Sequence, residues 1–164
     1  MAIIWNVLLY GGAGAVALSA LLLGMIWYNP RLMLQNYPKD VQQKAPPKTA
    51  AEKRLSAYLG GLFLFLLAAV PVISTMMPGN TQHHLSLGEA FLNAFGVLLV
   101  FNLVDWLILD WLIFCTITPR FAVIPGTEGM PGYKNYAMHF RGFLIGTALS
   151  AAGGLIIALA VTFL

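Results

Sequence analysis

Four long apolar runs, separated by stretches rich in polar residues and proline, set the pattern of this chain. The runs cover about 3–28, 55–77, 87–118 and 140–164. A hydrocarbon core about 30 Å thick needs about 20 apolar residues in helical form. Each run meets that length. The pattern predicts an all-α polytopic membrane protein, a four-transmembrane-helix bundle forming one membrane domain. Two cytoplasmic loops, over 29–54 and 119–139, complete it.

Local signals place the helix ends. The first run closes in Trp27-Tyr28-Asn29-Pro30, where Pro30 disfavours helical backbone at Asn29. Residues 31–37 are expected to lie flat at the interface, with Leu32, Met33 and Leu34 dipping into lipid. Thr49-Ala-Ala-Glu52 and Ser86-Leu-Gly-Glu89 are capping-box patterns that open the second and third helices. Pro71 predicts a kink in the second helix. Pro78-Gly79-Asn80 reads as a turn. The third run, at roughly 48 Å, exceeds the bilayer core and must tilt, bend or project. Pro119 stops it. Glycines 126, 129 and 132 predict a compact second loop, in which Glu128 is placed to pair with Lys134.

Composition narrows the class. The chain is 59% hydrophobic and 9% charged, against about 25% charged in a soluble domain. Its net charge of +3 does not point to nucleic acid, because the basic residues flank the apolar runs. They read instead as topology signals and contacts for anionic lipid headgroups. The first run is too long, and its start too poor in basic residues, for a cleaved signal peptide, so a retained helix is expected. The single cysteine, Cys115, excludes an intrachain disulfide.

All nine Lys and Arg lie in or beside the two long loops. The positive-inside rule therefore puts both loops in the cytoplasm and both termini outside, with a bacterial inner membrane as the expected location. Pro-Arg follows the first and third runs, and Arg precedes the second and fourth, a layout that either duplication or shared topology would produce.

The first helix ends in Gly24-Met-Ile-Trp27-Tyr28-Asn-Pro30. In this Gly-x-x-Trp-Tyr-x-Pro pattern, and in its layout, the chain resembles small uncharacterised bacterial membrane proteins with four helices. The resemblance implies the fold and no activity. The acidic third run departs from it.

Candidate chemistry centres on that run. Asn102, Asp105 and Asp110 lie inside it, and an Asp at a helix centre costs about 2.5–3.5 kcal/mol to insert. Both acids should therefore face the bundle interior or a cavity. On an α-helix, residues five apart are separated by about 140°, so Asp105 and Asp110 should not share a face. Asn102 and Asp105, three apart, should. The functional reading is a cation or proton site at Asp105 with Asp110 nearer the cytoplasm. The structural reading is interhelical hydrogen bonding, or a pair with Arg120 or Arg141. Glu89 reads as a capping residue.

The fourth run carries small residues at every fourth position: Gly142, Gly146, Ser150, Gly154, Ala158 and Thr162. Such a stripe lets helix backbones approach closely. The small residues of the first run are the expected mate. Arg120, His139 and Arg141 suit headgroup contacts. His83 and His84, after Met76 and Met77, fit no metal motif, so neither metal nor cofactor is expected.

Three functions follow. Transport or permeation uses the intramembrane acids. A lipid- or quinone-modifying enzyme would use Asp110, Arg120, His139 and Arg141, but lacks a recognisable nucleophile–base pair. A non-catalytic membrane subunit or scaffold leaves the acids unexplained. Transport is the reading adopted. Four helices make a poor pore alone, so it implies a homo-oligomer or a partner membrane subunit.

Overall fold

The computed structural model describes residues 2–76 and 85–163 and contains no strand among them. Helix α1 spans Ala2–Tyr28. It stops where Pro30 demands, and the Asn29 side chain caps a 3-10 turn over Pro30–Asn36 by accepting from the Arg31 N–H. A short helix α2, Lys39–Lys44, follows. Helix α3, Ala50–Met76, begins five residues before its apolar run because the Thr49–Glu52 capping box starts it. Glu52 also accepts from Asn29 Nδ2 and Arg31 Nη2, both at 2.8 Å, and so ties the end of α1 to the start of α3.

Helix α4, Leu87–Val104, opens on the Ser86–Glu89 capping box. It continues directly into a π-helix over Asp105–Ile117. Helix α5, Tyr136–Phe163, closes the described chain. The expected turn at Pro78-Gly79-Asn80, together with Met77, His83 and His84, lies outside the described residues.

The long helices run alternately up and down. Helix α4 packs against the other three, with α1 and α5 on either side of the α3–α4 pair. Among the described residues four helices, α4 counted with its π extension, are long and apolar enough to cross a membrane. Large apolar side chains such as Leu9, Phe65 and Ile156 stand exposed around the bundle. In water that surface would be costly, so the fold is consistent with a multi-pass membrane protein.

Small residues set the helix spacing. Gly154 of α5 abuts the Phe95 backbone of α4, where an added Cβ would stand at 2.9–3.0 Å. The stripe on α5 therefore mates with α4 rather than with α1. The α1 glycines receive valines instead: Gly11 takes Val100, and Gly14 takes Val70. Ser150, Gly154 and Ala158 form the buried line of α5.

At the end of the bundle away from the long loops, a buried polar network joins three helices. Asn6 donates to Ser74 O and Asn93 Oδ1, each at 2.8 Å. Asn93 Nδ2 donates to Ser74 Oγ at 2.8 Å and Thr75 Oγ1 at 3.0 Å. Both hydroxyls donate to the carbonyl of Pro71. With so many groups paired, the network fixes the register of α1, α3 and α4 around the proline.

At the other end the two long loops share one core of Tyr37, Val41, Ala45, Ile124 and Tyr133. The Tyr37 hydroxyl donates to Ala122 O at 2.8 Å, and the Gly132 N–H donates to Asp40 Oδ2 at 3.0 Å. Burial, helped by the neighbouring Tyr133, pushes the Tyr37 phenol well above its ordinary value. Leu32 is fully buried, and Met33 and Leu34 pack on this core. The segment 31–37 thus tucks beneath the bundle instead of dipping into lipid. Glu128 does not pair with Lys134. Its carboxylate accepts from the Gly126 N–H. Backbone N–H groups, its own and that of Gly126, hold the carboxyl below its ordinary value.

Candidate functional site

The π-helix governs the site. An i→i+5 ladder widens each turn, so residues five apart lie roughly one above another. Its terminal bond runs from the Thr118 N–H to Ile113 O at 2.8 Å, and Thr118 turns left-handed at φ 49° to end it. Lys134 crowns the same end, its Nζ donating to Cys115 O, Thr116 O and Thr118 Oγ1 at 2.6, 3.0 and 2.7 Å. A cation on the last free carbonyls satisfies acceptors and complements the helix dipole.

The winding moves Asp105 and Asp110 onto one face, contrary to the expectation from α-helical geometry. Asp105, Leu109, Asp110 and Phe114 all line a single cavity of about 600 Å³. The spacing four, one, four is the period of a π-helix and not of an α-helix. The signal lies in the sequence as a five-residue repeat, Asp-Trp-Leu-Ile-Leu followed by Asp-Trp-Leu-Ile-Phe, over 105–114. An α-helical reading of those residues passes over it.

The cavity lies among α1, α3, α4 with its π extension, and α5. The Tyr37–Tyr133 loop core sits beneath it. Leu22, Ile26, Phe63 and Ile145 contribute apolar wall, while Asn102, Asp105, Asp110, His139, Gln35 and Asn36 contribute polar groups.

The polar groups have distinct states. Asp110 Oδ1 lies 2.9 Å from His139 Nδ1. His139, expected at the headgroups, therefore turns inward, and it takes the place that Arg120 or Arg141 was expected to fill beside Asp110. Asp105 has no hydrogen bond or salt bridge among the described residues. Asp110 and His139 share the cavity with it. Asn102 does not serve it either: its Nδ2 donates to Phe143 O at 3.1 Å and Thr147 Oγ1 at 3.0 Å, which clamps α4 to α5. Gly146 makes room for that clamp, since an added Cβ there would run into the Asn102 carboxamide. Gly142 has nothing within 4 Å of its Cβ position and borders the cavity, so it leaves space instead of packing a helix.

Behind the acidic face lies an aromatic stack. Trp106 stacks on Phe143 at 4.3 Å and meets Trp111 edge to face. The indoles do not serve the acids. Trp111 Nε1 donates to Tyr136 O at 3.4 Å, and Trp106 Nε1 is buried without a partner among the described residues. Such ring pairs contribute about 0.5–1.5 kcal/mol each beyond burial and hold the π segment against α5.

Arg120 and Arg141 are exposed at the loop end. Among the described residues no group of three His, Cys, Asp or Glu side chains is placed to hold a metal ion. No protein-family model matches the chain, and no curated protein or solved structure matches it either.

Proposed function

We propose that the chain is a multi-pass membrane protein that moves a cation or a proton, with Asp105 as the group that holds the charge. The observation that carries this reading is a carboxylate with no partner among the described residues, facing a cavity inside a bundle of membrane-length helices. An intramembrane acid is costly, and an unpaired one has no structural bond to account for it. Asp110 with His139 forms the second station, nearer the long loops. A carboxylate–imidazole pair can take up and pass on a proton.

In this reading both long loops are cytoplasmic and both termini are outside, because all nine basic residues sit at that end. Arg120 and Arg141 contact anionic headgroups there. A homo-oligomer or a partner membrane subunit completes the path, since one cavity reaches only part of the way through the bundle.

The site is tested with a lipid-soluble carbodiimide, which modifies carboxylic acids from the apolar phase. Mass mapping should find Asp105 modified, and the rate should fall as a bound cation occupies the site. A rate at Asp105 that no cation and no change of pH alters would overturn the reading.

A second reading rests on the Asp110–His139 pair as the acid–base dyad of an enzyme acting on a lipid or quinone. Ser56, whose side chain also lines the cavity, is already bonded to Leu32 O and Lys48, which weakens it as a nucleophile. Transport remains the better fit.

A further inference from the structure

We infer that the cavity takes an amphipathic organic cation, which reaches it from the bilayer between α3 and α5. This rests on the cation reading of Asp105 and names its substrate class. The first argument is size. A cavity of about 600 Å³ holds a drug-sized molecule, whereas a bare metal ion is held by a tight shell of oxygen ligands. Among the described residues no group of three His, Cys, Asp or Glu side chains is placed to form one.

The second argument is the distribution of charge. Asp110 already has His139 at 2.9 Å, which leaves Asp105 as the carboxylate open to a ligand's positive charge. The rest of the wall, with Phe63 and Phe114, suits an apolar body, and aromatic rings also attract cations. An inorganic cation would leave that apolar volume unused. An anion would meet two acids.

The third argument is access. Leu64 on α3 and Ile145 and Leu149 on α5 line the cavity yet are 63%, 62% and 67% exposed. The cavity therefore reaches the outer surface along these two helices. Gly60 and Gly142, also in its lining, have no heavy atom within 4 Å of their Cβ positions, so the gap between the helices stays free of side chains there. The surface around the gap is apolar and faces acyl chains in a membrane-spanning bundle. Gln35 and Asn36 line the loop-side part and are exposed as well, which gives a polar mouth. An amphipath partitioned into the bilayer meets an apolar mouth first and a carboxylate within.

The test uses radiolabelled tetraphenylphosphonium and tetraphenylborate, which share a shape and differ in the sign of charge. Purified full-length protein in detergent is equilibrated with each. The phosphonium should bind saturably and the borate should not. Asp105→Asn should weaken phosphonium binding about tenfold or more, the scale of one lost charge contact. Gly142→Leu, which narrows the gap and leaves both acids in the sequence, should also weaken it. In the unmodified chain, phosphonium should slow carbodiimide reaction at Asp105, a readout that needs no variant to fold. Absence of saturable phosphonium binding, or equal binding of the borate, would overturn the inference. If small cations or protons still govern the carbodiimide reaction in that case, the substrate class fails and the cation reading stands. If neither has any effect, both fail.

Discussion

Trp106 and Trp111, five residues apart in sequence, meet with ring centroids 4.8 Å apart and planes at 70°. On an α-helix their side chains would point about 140° apart. The same winding carries Asp105 and Asp110 to one cavity, and it leaves Leu107, Leu112 and Ile117 exposed in a line. The site thus depends on the backbone form of one segment.

That form can be tested by cross-linking. In a Cys115→Ala background, Leu107→Cys with Leu112→Cys should form a disulfide under mild oxidation. Bridging requires Cα atoms within about 7 Å, which a π turn brings and an α turn does not. Failure to cross-link, where a reagent shows both thiols accessible, would argue for α-helical winding.

Lys134 holds the end of the π segment by three donations. Lys134→Met should lower stability by about 1.5 kcal/mol, the low end for charged hydrogen bonds because the side chain is exposed. Thermal unfolding in detergent reads this. The variant should also weaken the cross-link between positions 107 and 112, whereas an unchanged yield would remove Lys134 from the cause of the winding.

Packing on α5 should separate the glycines. Gly154→Leu drives a side chain into the Phe95 backbone, and Gly146→Leu displaces the Asn102 clamp. Each should lower the unfolding temperature by several degrees or prevent folding. Gly142→Leu should fold with an unfolding temperature near that of the unmodified chain, because its Cβ position is open. Equal losses at positions 142 and 154 would contradict the assignment of contacts.

The loop core predicts a fall in stability at high pH. Tyr37 is held neutral by burial in the folded chain, so its proton leaves at higher pH there than in the unfolded chain. Above about pH 10 the unfolded phenol ionises first, the folded state holds more protons, and stability declines as pH rises. Tyr37→Phe should flatten that decline while costing about 1 kcal/mol at neutral pH for the lost bond to Ala122. A decline of the same slope in the variant would assign it elsewhere.

The elements of the fold are legible in the sequence because apolar run length, the two capping boxes and Pro30 are local signals. The loop core is not. It depends on Tyr37 meeting Ala122 and Asp40 meeting Gly132 across more than eighty residues. His139 reads as an interface residue because its position next to Arg141 suggests headgroups, whereas its inward turn comes from Asp110 on another helix. Asn6, Ser74, Thr75 and Asn93 carry no signal of their own, since single polar residues in apolar runs gain meaning only when packing brings them together. The five-residue repeat is present in the sequence, but a period of 3.6 hides it.

Flux across reconstituted membranes tests the central claim. Purified protein in liposomes carries a pH-sensitive dye inside, and a potential is imposed with a panel of inorganic and organic cations outside. The unmodified chain should move protons or one of these cations. Asp105→Asn, folded by its unfolding temperature, should lose nearly all of that flux, while Asp110→Asn should slow it. Flux in Asp105→Asn equal to that of the unmodified chain would contradict the account.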